Sequence, residues 1–227
     1  MRPRPENPLI VALDLSDLAA AEEMAGSLSG IASHLKVGLE LLAANGPEAV
    51  RRIRVHGPVF LDAKLHDIPN TVEAAARNYA RLGIAMLSVH ALGGEAKIAA
   101  ATRGALSGAA EGDHRAPMIL AVTVLSSLSG ESLASSASLA FEARAAGAQA
   151  AVVSGEDVRV VREALGDDFC LVVPGIRPSG SNGDDQVRIL SPAEAMEDGA
   201  DYLVVGRQVT GALDPEGAAR AILSSVR

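Results

Sequence analysis

Short apolar runs alternate with longer amphipathic segments along the whole chain. The apolar runs have the length and the Val, Ile and Leu content of buried β-strands, and apolar residues between them recur with helical spacing. Eight strands are predicted, over residues 9–15, 34–37, 59–64, 86–90, 118–124, 150–154, 170–173 and 202–206. Eight helices are predicted, over residues 17–29, 40–54, 70–82, 95–111, 131–146, 155–165, 191–198 and 215–226. Eight βα units in 227 residues predict an α/β fold, a single (β/α)₈ TIM barrel that spans residues 1–227.

Glycine and proline mark several of the predicted helix ends. Gly83, Gly147 and Gly199 each follow a helical segment, where a left-handed residue is expected. Asp214 and Pro215 place an N-cap and a first-turn proline before the last helix. A doubly wound open sheet is the alternative, but it would need a glycine fingerprint after an early strand, and none follows residues 9–15.

Composition narrows the classes of partner and compartment. The net charge of −8 argues against a nucleic-acid partner and against an anionic membrane surface. Cys170 is the one cysteine, so an internal disulfide is excluded, and its apolar neighbours indicate a buried, inert thiol. Neither a signal peptide nor an apolar stretch long enough to span a bilayer is found. We therefore expect a cytoplasmic protein.

Polar and charged residues follow the predicted strands at their C-terminal ends. In a barrel the active site lies at that end, because the βα loops meet there. The residues at these positions are Asp14, Lys36, Asp62, Lys64, His90, Ser126, Arg177 and Arg207. The opposite ends of the strands show little pattern of polar residues. A role in stability alone therefore does not explain why charged residues cluster at the C-terminal ends.

The third strand carries the densest group of charges. Asp62 and Lys64 are two residues apart, so their side chains point to the same face of an extended strand. Asp67 follows where the chain should be turning, and Asn70 with Glu73 predicts a capping box at the start of the next helix. An isolated D-x-K-x-x-D pattern fits a structural ion-pair network equally well. The other charged strand ends favour a functional site.

Two further segments indicate an anionic ligand. Gly206 and Arg207 follow the eighth strand, where barrels bind phosphate through backbone N–H groups and an arginine side chain. In another position, such a pair would more often be a turn glycine followed by a surface arginine. The polar, glycine-rich loop at 177–186 is long for a compact domain, which favours a mobile lid over decoration.

Motifs for other kinds of chemistry are missing from the sequence. No H-x-H, H-E-x-x-H or paired-cysteine pattern indicates a metal site, and no G-x-S-x-G or Walker motif is found. His90 is interpreted as a structural rim residue, and the histidines at 34, 56, 66 and 114 as surface or supporting residues.

The segment at 62–71 resembles the signature of the orotidine 5′-monophosphate decarboxylase family, which catalyses the last step of de novo UMP synthesis. Asp67-Ile68-Pro69-Asn70-Thr71 and Pro174-Gly175-Ile176-Arg177 are the more specific parts of the resemblance. Supporting segments lie at 12–14, 35–38, 89–91, 123–127, 184–186 and 204–207. Relatives that act on sugar phosphates share only the D-x-K-x-x-D core.

The resemblance implies decarboxylation of orotidine 5′-monophosphate (OMP) to UMP and CO₂ without metal or organic cofactor. It implies that Lys64 is the proton donor, that Asp62 lies beside the departing carboxylate, and that Lys36 and Asp67 complete a catalytic charge network. The implied substrate-binding residues are Asp14, Lys36, Asp62, Lys64, Asp67, Ile68, Thr71, Ser126, Pro174, Arg177, Gln186, Gly206 and Arg207.

Within that set, the resemblance implies a division of labour. Asp14 and Lys36 bind the ribose, Ser126 binds the pyrimidine, and Gln186 bridges the ring and the phosphate. Gly206 and Arg207 bind the phosphate, while Arg177 belongs to the closing loop. It also implies a homodimer in which Asp67, Ile68 and Thr71 reach into the neighbouring subunit's site.

Two alternatives remain open at this point. One is a sugar-phosphate decarboxylase or aldolase on the same scaffold, which would generally need a divalent metal. The other is a non-catalytic phosphate-binding barrel, for which Lys64→Ala would change affinity alone.

Overall fold

The eight strands form a closed parallel barrel in chain order, β1 to β8, with β8 pairing back to β1. The computed structural model describes residues 4–124, 135–177 and 190–226. The strands are β1 Leu9–Ala12, β2 His34–Val37, β3 Val59–Leu65, β4 Met86–His90, β5 Met118–Val122, β6 Ala150–Val152, β7 Cys170–Pro174 and β8 Tyr202–Val205. The predicted TIM-barrel fold is confirmed, since each strand is followed by helical structure that returns the chain to the start of the next strand.

The helices surround the barrel. In the described part of the chain they are α1 Leu18–Ser27, α2 Leu39–Asn45, α3 Pro47–Ile53, α4 Pro69–Ala80, α5 Glu95–Glu111, α6 Ser136–Ala145, α7 Val158–Leu165, α8 Pro192–Glu197, α9 Arg207–Thr210 and α10 Pro215–Ser224. Asp214 caps α10, with Pro215 in the first turn, and Gly83, Gly147 and Gly199 have positive φ angles, all as predicted. None of the described helices is long and apolar enough to cross a membrane.

Two apolar layers hold the barrel together. The interior cluster comprises Ile10, Ala12, Phe60, Met86, Leu120, Ala150, Cys170, Val172 and Val204. A larger layer of Val, Leu, Ile and Ala lies between the strands and the helices. With aromatic residues at only 2%, small branched side chains fill the space that rings would otherwise occupy. Cys170 is buried in the interior cluster, as predicted.

Several predicted helix boundaries are wrong; the helix expected at 131–146, for example, begins only at Ser136. The helix expected at 40–54 is two helices, because Gly46 adopts a φ of 59° and Pro47 begins the second. The segment at 155–165 begins with a 3₁₀ turn at Gly155–Asp157, and α7 starts only at Val158. The capping box at Asn70 and Glu73 is also wrong, since α4 already begins at Pro69, which places Asn70 inside the first turn.

The pairing of β3 with β4 is irregular. Phe60 and Leu61 lie opposite Met86 and Leu87, but the next matched pair is Leu65 with Val89. The intervening residues of β3 therefore bulge out of the ladder, and this bulge contains the predicted site residues Asp62 and Lys64.

Candidate active site

A cavity of about 290 Å³ opens at the C-terminal ends of the strands. Its lining includes the predicted site residues Asp14, Lys36, Asp62, Lys64, Pro174, Arg177, Gly206 and Arg207. Apolar side chains from several strands, among them Phe60, Val122 and Val152, complete the described wall. A pocket that joins an apolar wall to convergent charges suits a ligand with a flat ring and polar substituents.

Four charged side chains form a chain of ion pairs across the floor. Lys36 Nζ lies 3.0 Å from Asp14 Oδ1 and 3.5 Å from Asp62 Oδ2. Lys64 Nζ donates to Asp62 Oδ2 at 2.7 Å. The side chains of Lys36 and Asp62 are only 10% and 12% exposed, whereas that of Lys64 is 30% exposed. Asp62 thus holds two ammonium groups, and Lys64 faces the open part of the cavity.

The carboxylate of Asp62 is kept ionised by its neighbours. Burial raises its pKa, but the charges of Lys36 and Lys64 lower it. Hydrogen bonds from Lys64 and Ser88 act in the same direction, so the pKa of Asp62 lies below its ordinary value. A negative charge therefore persists beside Lys64 at neutral pH.

Lys64 is held in an unusual backbone conformation. Its φ angle is 47°, a left-handed value that non-glycine residues adopt infrequently. Its N–H donates to Oγ of Ser88 at 2.9 Å, and the same hydroxyl donates to Oδ1 of Asp62 at 2.8 Å. Asp62 consequently accepts a hydrogen bond from Ser88 on one oxygen and from Lys64 on the other.

The opposite end of the cavity is formed after β7 and β8. Gly206 is the N-cap of the short helix α9, whose first residue is Arg207, and both line the cavity. Gly175 has a φ of 77°, which turns the chain after Pro174. Arg177 is only 4% exposed, and its N–H donates to the carbonyl of Leu190. Two arginines therefore line the side of the cavity that the loops after β7 and β8 build.

Not every predicted residue lies in this cavity. Asp67, Ile68 and Thr71 are exposed at the rim, and Asp67 Oδ1 accepts a hydrogen bond from the N–H of Ile68 at 2.7 Å. Ser126, Gln186 and residues 178–186 of the predicted lid loop lie outside the described residues. Asp67 is not among the residues that line its own cavity, and its predicted place in the neighbouring subunit's site stays a prediction.

His90 lies at the end of β4 but does not line the cavity. Its ring makes an edge-on contact with His66 at a centroid distance of 5.2 Å. Burial, followed by the nearby charges of His66 and Lys64, lowers the pKa of His90. These contacts fit its interpretation as a structural residue of the rim.

Sequence reasoning missed two buried serines near the site. Ser154 lines the cavity after β6, and its hydroxyl donates to Asp157 Oδ2 at 2.9 Å, an oxygen that also accepts from Ser136. Ser154 ends a predicted strand, so the same inspection of strand ends could have found it. Ser88 lies inside β4, and no sequence signal distinguishes it from a core residue.

Comparison with known proteins places the chain among decarboxylases. The family described as "Orotidine 5'-phosphate decarboxylase / HUMPS family" matches residues 7–222. The orotidine 5′-phosphate decarboxylase of Moorella thermoacetica is 46% identical, with 100% of this chain and 94% of that protein covered. That of Anaeromyxobacter sp. (strain K) is 47% identical, with 98% and 100% covered.

A solved structure agrees with these relatives. The crystal structure of orotidine 5′-phosphate decarboxylase from Lactobacillus acidophilus has a TM-score of 0.85 to this chain at 36% identity, and covers 98% of this chain and 100% of its own. The resemblance found in the sequence is thus confirmed at the level of the family. With its barrel and its full-length relatives, this chain belongs to the orotidine 5′-phosphate decarboxylase / HUMPS family.

Proposed function

We propose that the protein converts OMP to UMP and CO₂ without a metal or an organic cofactor. The observation that carries the proposal is the Lys36–Asp62–Lys64 array on the floor of the cavity, with Lys64 Nζ 2.7 Å from Asp62 Oδ2. The relatives named above are orotidine 5′-phosphate decarboxylases that match nearly the whole chain, which supports this substrate over the sugar phosphates.

The chemistry requires a cation at the reacting carbon. The bond between C6 of the pyrimidine and its carboxylate breaks, CO₂ leaves, and the electron pair remains on C6 in the plane of the ring. No π-system can delocalise that pair, so a fixed positive charge must stabilise it. We assign this role to Lys64, whose ammonium group then transfers a proton to C6 and later regains one from solvent.

Asp62 would act on the substrate before CO₂ is lost. Its carboxylate, ionised because of the two lysines, would stand beside the carboxylate of OMP. Repulsion between the two disappears as CO₂ forms, so it disfavours the bound substrate more than the transition state. Asp62 also keeps Lys64 oriented through their hydrogen bond.

The rest of the cavity would bind the nucleotide. Asp14 and Lys36, which form an ion pair beside Lys64, are assigned to the ribose hydroxyls on the resemblance to the family. Gly206 and Arg207 are assigned to the phosphate, with Pro174 and Arg177 closing that side. Ser126 and Gln186 remain proposed contacts of the pyrimidine and of the phosphate. Binding energy from the phosphate can then stabilise the reactive arrangement at the other end of the substrate.

We further propose that two copies of the chain share their active sites. Asp67, Ile68 and Thr71 are exposed at the rim and do not line their own cavity, which leaves them accessible to a neighbouring chain. Ile68 is 63% exposed, and the apolar residues Leu39 and Leu92 on the same rim are 53% and 56% exposed. Burial of these apolar groups would favour association through this face.

The test is the ultraviolet absorbance of OMP mixed with the protein in excess EDTA. We expect rapid loss of the orotate chromophore with the wild-type protein and at least about a thousandfold slower loss with Lys64→Ala. Lys97→Ala is the matched control, because Lys97 does not line the cavity, and it should behave like the wild type. No reaction by folded wild-type protein would reject the proposal and direct the search to sugar phosphates with added magnesium.

A further inference from the structure

We propose that Ser88 is a positioning residue that sets the geometry of Lys64 and Asp62. The inference rests on the function proposed above, in which these two residues carry out the chemistry. Ser88 belongs to β4, is completely buried and does not line the cavity. It therefore acts through other residues and has no contact with the substrate.

The bulge in β3 creates the need for such a residue. Between the pairs Leu61–Leu87 and Leu65–Val89, β3 uses more residues than β4 to cover the same distance. Lys64 lies in this bulge with a φ of 47°, so its N–H has left the regular ladder. A left-handed backbone at a residue with a long side chain persists only where surrounding contacts hold it.

The hydroxyl of Ser88 supplies these contacts. It accepts the Lys64 N–H at 2.9 Å, in place of a carbonyl of the neighbouring strand. It donates its own proton to Oδ1 of Asp62 at 2.8 Å. One hydroxyl thus fixes the backbone of the proposed proton donor and also the rotation of its partner carboxylate.

This arrangement has an electrostatic consequence. With Oδ1 fixed by Ser88, Oδ2 of Asp62 is directed toward Nζ of both Lys36 and Lys64. The hydrogen bond from Ser88 also contributes to the low pKa of Asp62. Removal of the hydroxyl should therefore loosen the array and make Asp62 easier to protonate.

The experiment compares Ser88→Ala and Ser88→Cys with Thr123→Val. Ser88→Ala should lower kcat about tenfold or more with KM changed less than about twofold, and should move the acid limb of kcat/KM to higher pH. Ser88→Cys keeps nearly the same side-chain shape, but its thiol is a weaker hydrogen-bond donor than the hydroxyl. The acid limb of kcat/KM should therefore move to higher pH in this variant as well. Thr123 directly follows β5 and is fully buried, and its hydroxyl donates to the Val152 carbonyl. Thr123→Val should therefore keep the wild-type pH profile.

A wild-type kcat and acid limb in Ser88→Ala would overturn the proposal. If Ser88→Ala does not fold, the acid limb of Ser88→Cys decides in the same way. A substrate-free measurement separates this proposal from the proposed function: titration of the Asp62 carboxyl by ¹³C NMR, assigned with Asp62→Asn. Its midpoint should rise in Ser88→Ala even if the wild type does not decarboxylate OMP, and an unchanged midpoint would reject the role of Ser88 independently of activity.

Discussion

Gly38 approaches Asp14 so closely that a Cβ atom at Gly38 would lie 2.6 Å from Oδ1 of Asp14. The same Cβ would lie 2.9 Å from Nζ of Lys36. The backbone of Gly38, with φ −90° and ψ −179°, is open to any residue. Space, and not backbone conformation, therefore requires glycine here, and the absent side chain leaves room for the Asp14–Lys36 ion pair.

Gly38→Ala should impair activity far more than stability. The atoms that must move are the ends of flexible side chains, so the fold can adapt, but those ends are the proposed ribose-binding groups. We expect kcat/KM for OMP to fall at least about tenfold, because misplaced groups lose their alignment with the substrate. Gly57→Ala is the control, since its Cβ would meet only Leu35 at an ordinary 3.6 Å. Wild-type kcat/KM in a folded Gly38→Ala would contradict this interpretation.

The sequence predicts the barrel well because its signals are local and repeated. Apolar runs of strand length recur in every βα unit, and glycines follow several of the helices, so one ambiguous segment does not alter the architecture. The spacing of Asp62 and Lys64 predicts that their side chains lie together, and Lys64 Nζ is 2.7 Å from Asp62 Oδ2, although the left-handed backbone of Lys64 departs from regular strand geometry.

The sequence does not predict features that depend on packing between distant segments. Nothing in β3 alone reveals the bulge or the left-handed backbone of Lys64, because both arise from the match with β4 and from Ser88. The capping box fails for a related reason. Pro69 can occupy the first turn of a helix, so α4 begins before Asn70, and the side chain of Glu73 pairs instead with Arg103 on α5.

A buried ion pair at the opposite end of the barrel should control stability. Arg162 donates to Asp201 Oδ2 at 2.8 Å, and the side chains are 11% and 2% exposed. Arg162→Met should lower the free energy of unfolding by about 3–5 kcal/mol, because it removes the buried ion pair with Asp201 together with the hydrogen bonds that Arg162 donates to the carbonyls of Gly166, Phe169 and Gly199. Urea unfolding at neutral pH measures the loss.

The matched control for Arg162→Met is an exposed ion pair. Arg103 and Glu73 form a bridge whose side chains are 59% and 42% exposed. Arg103→Met should therefore change the free energy of unfolding by less than about 1 kcal/mol. Equal losses in the two variants would show that burial of the Arg162–Asp201 pair does not determine its contribution.

The pH dependence of stability should depend on His34. Burial lowers the pKa of His34 from 6.5 to about 4, and its ring contacts Tyr202 edge-on. Between these pKa values the unfolded chain binds more protons than the folded one, so stability falls as pH decreases from 6.5 toward 4. The loss attributable to His34 is about 3 kcal/mol.

His34→Gln should remove that part of the pH dependence. Urea unfolding at several pH values across this interval would show a shallower decline in the variant than in the wild type. The slope is the informative quantity, because loss of the ring contact with Tyr202 lowers stability at every pH. Parallel curves for the two proteins would exclude His34 as the titrating group.

Shared active sites can be tested by mixing two inactive variants, because Lys64 and Asp67 would then serve one site from different chains. Lys64→Ala and Asp67→Ala should each be inactive as homodimers. In a mixed dimer, one site combines both substitutions, and the other has Lys64 from one chain and Asp67 from its partner, both unaltered. Random exchange of equal amounts makes half of the dimers mixed, so about a quarter of wild-type activity should return. Differently tagged chains would verify that mixed dimers form, and if they form without any recovery of activity, each chain must supply its own Asp67.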